Sequence, residues 1–371
     1  MFGFPVSDEW PESFREYVDF VQETRGEEFE SIADVRFADP VQLVAEFQLE
    51  LFSFDDFDEE TQALVLRLDD MYRALGLADS EFNILDASRD VVGDIAAFYD
   101  WQNDEIVFPS PDGEYLDDIP VQDRPLLVHE LGHALQSSGR IAWANRMDDQ
   151  ALSAAMLEGE AEWLFDRYLL ALSSAEWQAW NDALPESPEP GDLPEILQIE
   201  FALSYVLGSR FFHAQYATGE LQGVADVFAS EHTAVSAQML LDPWLFTGDV
   251  ADQETFNYEL PNSRGGGEYV DVAYDFPTSA VNWHQILAAA LPGDVALRAA
   301  RGINSYTLPT GWIGIDDRLC FAIEASASPG HEAVVEDALR AWSEIAEVKR
   351  WFETTDRGFY VGGCDPGPGN V

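Results

Sequence analysis

Five consecutive residues, His129-Glu130-Leu131-Gly132-His133, constrain this 371-residue chain more than anything else in it. Side chains four positions apart leave the same face of an α-helix, so a helical reading brings both imidazoles to one point and sets Glu130 beside the first. Two rings converging with a carboxylate at hand make up most of a zinc site for hydrolysis. The surroundings read as a helix. Asp123 suits an N-cap and Pro125 a first turn, while Leu126, Leu127, Val128, Leu131, Ala134 and Leu135 place apolar residues all round it, as a buried helix requires. Upstream, Ala96 to Asp100, the turn-like Trp101 to Asp104, and Glu105 to Pro109 read as a β-hairpin running toward that helix.

Catalytic zinc usually takes three protein ligands and leaves its fourth position to water, so one more His, Asp or Glu has to come from elsewhere. Residues 151–171 form a second strong helical pattern with Glu158-Gly159-Glu160-Ala161 near its middle. Small residues there let two helices approach. With Glu158 facing the metal, Glu162 lies one turn further along the same face, placed to accept a hydrogen bond from the outer nitrogen of a ligating histidine. Glu160 points away. The competing reading of Glu158 and Glu162 is a solvated acidic face.

These two segments resemble the gluzincins, the metallopeptidase group that includes thermolysin-like enzymes and zinc aminopeptidases. There a HExxH helix is followed by a second helix bearing a glutamate ligand, often as Glu-Gly-x-Ala, which is how Glu158 to Ala161 stand. Glu158 lies 25 residues after His133, somewhat longer than the commonest gluzincin spacings and compatible with an added loop from Ser137 to Gln150. More of the chain resembles poorly characterised bacterial and archaeal proteins that join HELxHALQ and a later EGxA to weaker segments, such as Phe20 to Gly26, Gly208 to Phe212 and Gly311 to Asp317.

The resemblance implies an α+β fold with a zincin-like core: a mixed sheet, an active-site helix and a helical second lobe, followed by a C-terminal α+β subdomain. It also implies one catalytic zinc ion held by His129, His133 and Glu158, Glu130 as general base to a metal-activated water, and a peptide or protein substrate. Gluzincins supply an oxyanion donor from a later helix. The stretch Leu193 to Ala217 offers Tyr205, Arg210, His213 and Tyr216, of which Tyr205 and His213 are the first choices; their plain reading is core or rim of an amphipathic helix. By analogy an edge strand pairs with extended substrate, and Asp104 to Phe108 is the local candidate, with an ordinary inner strand as the alternative.

At this length and 47% hydrophobic content the chain buries a large core and divides into subdomains. The expected division is an N-terminal lobe over 1–140 with the HELGH helix, a mainly helical lobe over 141–262 with the third ligand, and an α+β tail over 263–371 after the glycine-rich Ser263 to Gly267. Trp10 to Arg25 reads as an amphipathic helix, and Pro185 to Pro194 as a helix-to-helix loop. In the tail, Arg318 to Ala325 reads as a strand, His331 to Val348 as a helix and Arg357 to Val361 as another strand, an order that lets the two strands neighbour each other. Cys320 and Cys364 sit on or just past those strands, and a disulfide and two free thiols both remain open.

With 70 acidic residues against 19 basic ones, a net charge of −51, and Lys349 as the only lysine, the surface is a dense carboxylate field that disfavours DNA, RNA and anionic membranes. Salt screens such self-repulsion, so a halophilic or marine source is the natural reading. No stretch approaches a membrane span, and a soluble protein, secreted or at the cell surface rather than cytoplasmic, is expected. His232, His284 and His331 lack partners at metal-like spacing and read as surface or capping residues. No nucleophile elbow supports a Ser-His-Asp hydrolase. Two classes therefore stand: a zinc peptidase, or a noncatalytic zincin-fold binding or structural module. Glu130 discriminates between them, because a structural site needs no general base and normally closes the metal with a fourth protein ligand.

Overall fold

The computed structural model describes residues 9–39, 59–79, 81–84, 97–110, 113, 117–136, 139–144, 150–184, 203–229, 235–246, 269–270, 279–304, 310–313, 318–345, 350–356 and 358–365. Ala96, the Pro185 to Pro194 loop, the beginning of the Leu193 to Ala217 stretch, His232 and the Ser263 to Gly267 break lie outside them. The fold is α+β.

The expected amphipathic helix is α1 (Arg15–Arg25), which buries Tyr17, Val18, Val21 and Arg25. It ends where Gly26 takes φ 71°, a left-handed cap that returns its N–H to the Gln22 carbonyl. β1 (Asp34–Ala38), β2 (Phe98–Asp100) and β3 (Glu105–Pro109) form a sheet in the order β1-β3-β2, with β1 parallel and β2 antiparallel to β3. The expected hairpin is therefore present. Asp100 Oδ1 accepts from the Gln102 and Asn103 amides across its turn.

The edge-strand reading of Asp104 to Phe108 is overturned. β3 has a partner on each side, and Ile106, Val107 and Phe108 are fully buried. Such an unbroken apolar run marks an inner strand, whose backbone groups are already paired.

Past α2 (Glu59–Leu75) come α3 (Arg124–Gln136), α4 (Gly139–Ala144), α5 (Gln150–Ala171) and α6 (Ser174–Ala183), the last opened by a Ser173/Glu176 capping box. Asp123 stands just before α3, and its carbonyl accepts the Leu127 N–H. A π-helical turn, Leu203–Leu207, leads into α7 (Gly208–Ala229), which breaks at Glu220. α8 (Ala237–Leu241), α9 (Ala280–Ala288) and α10 (Gly293–Gly302) follow.

The C-terminal sheet runs β4-β5-β6-β8-β7, built from β4 (Tyr269–Val270), β5 (Thr310–Ile313), β6 (Leu319–Ala325), β7 (Arg350–Thr354) and β8 (Phe359–Cys364). α11 (Glu332–Ser343) connects β6 to β7. β6 and β8 are neighbours, as expected, but antiparallel, because β7 inserts a hairpin that the sequence reading missed. Cys320 and Cys364 lie directly opposite in the β6–β8 register and form a disulfide.

Among the described residues two large cores stand out. The first gathers Phe14, Phe108, Leu127, Val128, Trp163, Phe211 and Phe212. The second gathers Met71 and Leu75 of α2 with Trp283, Phe321, Trp342 and Val361. Residues of the 1–140 stretch thus pack with the tail.

Small residues set the helix spacing. A Cβ on Gly159 of α5 would stand 2.4 Å from the Gly208 backbone, and one on Gly208 would stand 2.3 Å from the Ala155 carbonyl oxygen. Backbone cannot yield as a side-chain tip does. Gly208→Ala is therefore expected to lower unfolding free energy by about 1–3 kcal/mol or more. Denaturant melts in high salt check this, and a change below about 0.5 kcal/mol would refute the close approach.

Candidate metal centre

α3 crosses α5 where Gly132 meets Ala161, so closely that a Cβ on Gly132 would lie 3.2 Å from the Ala161 Cα. That approach brings His129 and His133 opposite Glu158. Their Nε2 atoms are 3.1 Å apart, and each is 3.3 Å from Glu158 Oε2. Zinc bonds of about 2.0–2.1 Å in tetrahedral geometry place ligand atoms about 3.3–3.4 Å from one another, so the three donors fit such an ion.

Their chemistry fits as well. Glu158 Oε2 is buried and makes no well-formed hydrogen bond. Three electron-pair donors face one point, which calls for a cation. Without one, protons take that role. Burial would push the His129 ring down, but Glu158, Glu162 and Glu130 lift it to about 10. His133 rises too, burial being outweighed chiefly by Glu158. Burial would raise Glu158, yet His133 and His129 hold its carboxyl far below the usual range. The His129-His133-Glu158 cluster can hold a metal ion, and among the described residues no fourth His, Cys, Asp or Glu joins it. Glu158 is the most accessible of the three, its side chain 27% exposed against 7% and 6% for the rings.

Glu130 is buried beside the cluster. Burial raises its carboxyl, the two rings oppose that, Glu158 adds to it, and the Tyr99 backbone N–H donates to it. Glu162 lies where the one-turn spacing put it, with Oε2 3.3 Å from His129 Nδ1.

Tyr205 sits in the π-helical turn with its ring stacked on His129, centroids 5.8 Å apart at 28°. Its hydroxyl hydrogen-bonds the Glu158 side chain. Burial, then Glu158 and Glu130, push the phenol up, so it stays a donor.

His213 is not brought to the cluster. It lies eight residues past Tyr205, about 12 Å along a helix, and its Nε2 is 2.9 Å from Asp166 Oδ2, an oxygen that also accepts from Ser209 Oγ at 2.8 Å. Asp166 is itself eight residues past Glu158, so the same offset on both helices pairs these residues with each other. Arg210 is exposed, and Tyr216 packs on Trp163 and under Arg167. His284 is half-buried and burial lowers it, while His331 occupies the N-cap position of α11 without a capping bond.

Two neighbours of His133 escaped sequence reasoning. The Trp101 ring meets its imidazole edge-on at 5.3 Å, and nothing in a hairpin turn signals that. Gln136 Oε1 is 3.1 Å from its Nδ1. The three-residue spacing on one helix was the available signal. Glu160 points away as expected, but inward: its Oε1 takes the Arg25 Nε at 2.5 Å and its Oε2 lies 3.5 Å from the Arg140 Nε. Burial would raise Glu160, but Arg140 and Arg25 hold it below its ordinary 4.5.

No known protein family, curated protein or solved structure matches the chain. Among the described residues no helix is long and apolar enough to cross a membrane.

Two outcomes are expected. Glu162→Ala should weaken divalent-metal binding about 10- to 100-fold in calorimetry, and an unchanged affinity would remove Glu162 from the site. Because Glu160 titrates lower when folded, its stabilising contribution is complete above pH 4.5 and disappears as pH falls toward its depressed value. The stability gap between wild type and Glu160→Gln should therefore narrow in acid melts below pH 4.5, and a gap independent of pH would exclude an ionised Glu160.

Proposed function

We propose that this chain is a zinc-dependent metallopeptidase with a zincin-like core of gluzincin type. The observation that carries the reading is the convergence of two imidazoles and an otherwise unbonded carboxylate oxygen, with a second carboxylate, that of Glu130, buried alongside and outside the ligand set. A purely structural site has no use for Glu130 in that place.

Zinc held by His129, His133 and Glu158 would act as a Lewis acid, polarising the scissile carbonyl and acidifying a bound water. Glu130 takes the proton from the attacking water as its oxygen adds to the carbonyl carbon. As the C–N bond breaks, Glu130 delivers that proton to the departing amine. Its burial-raised proton affinity suits both transfers. Tyr205, kept protonated, donates to the carbonyl oxygen as negative charge develops there. Glu162 fixes the orientation of the His129 ring.

The substrate is a peptide, and its docking edge is β2 rather than Asp104 to Phe108, since β2 is the strand of that sheet whose Tyr99 reaches Glu130. The disulfide supports a secreted or cell-surface location, where oxidising conditions preserve it.

The test is a peptide-library cleavage assay paired with metal analysis. Glu130→Gln should retain zinc and lose about 10²- to 10⁴-fold in kcat/KM. Tyr205→Phe should lose about 10²- to 10³-fold, mainly in kcat. Stoichiometric zinc with no cleavage of any peptide would instead favour the binding module.

A further inference from the structure

We propose that Gln136 is the positioning residue for His133, and that the buried Glu160, Arg25 and Arg140 fix which end of its amide the histidine meets. The inference rests on the metal-site reading above and extends it to residues that touch no metal. Gln136 is 1% exposed, so every polar atom it carries must be matched inside the protein. Its Nε2 lies 2.8 Å from the Leu157 carbonyl oxygen and 3.0 Å from Glu160 Oε2. The Leu157 carbonyl can only accept, and the Glu160 oxygen beside it is the one that faces Arg140, so the amide NH2 is the end that faces them.

Two arginines hold the Glu160 carboxylate in place. Arg25, 2% exposed, donates to Glu160 Oε1, Arg140 approaches its Oε2, and both also pair with Glu27. With NH2 committed to Glu160, Oε1 must face His133 Nδ1. An amide oxygen only accepts, so Nδ1 carries the hydrogen and the Nε2 lone pair is left pointing at Glu158 and His129. Donor and acceptor polarity thus passes from α1 and α4 through α5 to a metal ligand on α3. His129 receives the same orientation from a single carboxylate, Glu162.

Breaking the relay at two points gives different results from merely loosening the fold. Gln136→Leu removes the acceptor. Glu160→Gln offers Gln136 a partner able to donate, which permits the amide to turn and present NH2 to His133.

The experiment uses the full chain in high salt with zinc alone as probe: affinity by chelator competition, and the imidazole N–H protons of the zinc-loaded protein by NMR. In wild type, both ring Nδ1–H protons should be downfield and slow to exchange. Gln136→Leu should lose that protection at His133 while keeping it at His129, and should bind zinc about 10- to 100-fold more weakly. Glu160→Gln should weaken zinc in the same direction. Glu27→Gln, which disturbs the same arginines without touching Gln136, should leave affinity within about twofold.

Wild-type affinity in folded Gln136→Leu would overturn the proposal, as would an equal loss in Glu27→Gln. Should Gln136→Leu not fold, an unprotected His133 Nδ1–H in the wild type would overturn it without any variant. Failure of the wild type to bind zinc would instead sink the metal-site reading itself.

Discussion

The contact between α3 and α5 at Gly132 and Ala161 sets the distance on which the centre depends. Both imidazoles leave one helix and the carboxylate leaves the other, so the 3.3 Å separations are an interhelical spacing read at the side-chain tips. Gly132 lies within 3.0–3.3 Å of Leu164 and Ala161 at its notional Cβ, tight enough that an added methyl would move one helix against the other. The same device repeats on the far side of α5, where Gly159 meets Gly208 at the start of α7. That second contact draws in the π-helical turn carrying Tyr205, which is why the phenol stacks on His129. Because α5 touches both neighbours through glycine or alanine, it presents Glu158 and Glu162 in a narrow gap instead of on a solvated face.

Charge reinforces that geometry in an unusual setting. The chain carries −51, yet two of its 19 basic residues are buried around one glutamate. Surface repulsion among carboxylates is screened within about 3 Å at molar salt, whereas the buried pairing is not. Arg25 and Arg140 hold Glu160 as an anion whose charge is compensated locally. Among the described residues Glu158 and Glu162 form ion pairs only with the two imidazoles, and together with Glu130 they lift the His129 ring to about 10. A divalent ion would bring the same two positive charges as two ring protons, so the charge of the cluster as well as its geometry suits a metal ion.

What could be read from the sequence follows from the range of each interaction. His129, His133 and Glu130 were legible because helical period alone places them. Glu158 and Glu162 needed only a second helix and the same period. Tyr205 and His213 both stood as donor candidates, although eight residues apart on a helix they point only roughly the same way; two turns of rise separate them, and only the partner helix shows that Asp166 claims His213. Ile106 to Phe108 carried the apolar run of an inner strand, but the pairing of β1 with β3 spans some seventy residues and no local pattern records it. The inward Glu160 was the hardest. Its arginine partners stand 135 residues before it and 20 residues before it, and in so acidic a chain one more glutamate carries no signal.

Among the described residues the C-terminal body adds nothing to the His129-His133-Glu158 cluster, and its place in the fold is best understood as a brace. α9 faces both cores, with Ala280 and Val281 in the first and Trp283, Ile286 and Leu287 in the second. Arg301 at the end of α10 donates to the Leu241 carbonyl of α8, and Gln238 of α8 donates to the Ile303 carbonyl in return. Just beyond α8, the Pro243 carbonyl accepts from Gln215 of α7 at 3.0 Å. These bonds run without a gap from the second core to the helix that continues from Tyr205. α2, drawn from early in the chain, closes the other side of that core against β6 and β8. Contacts of this kind link the helix that continues from Tyr205 to the second core.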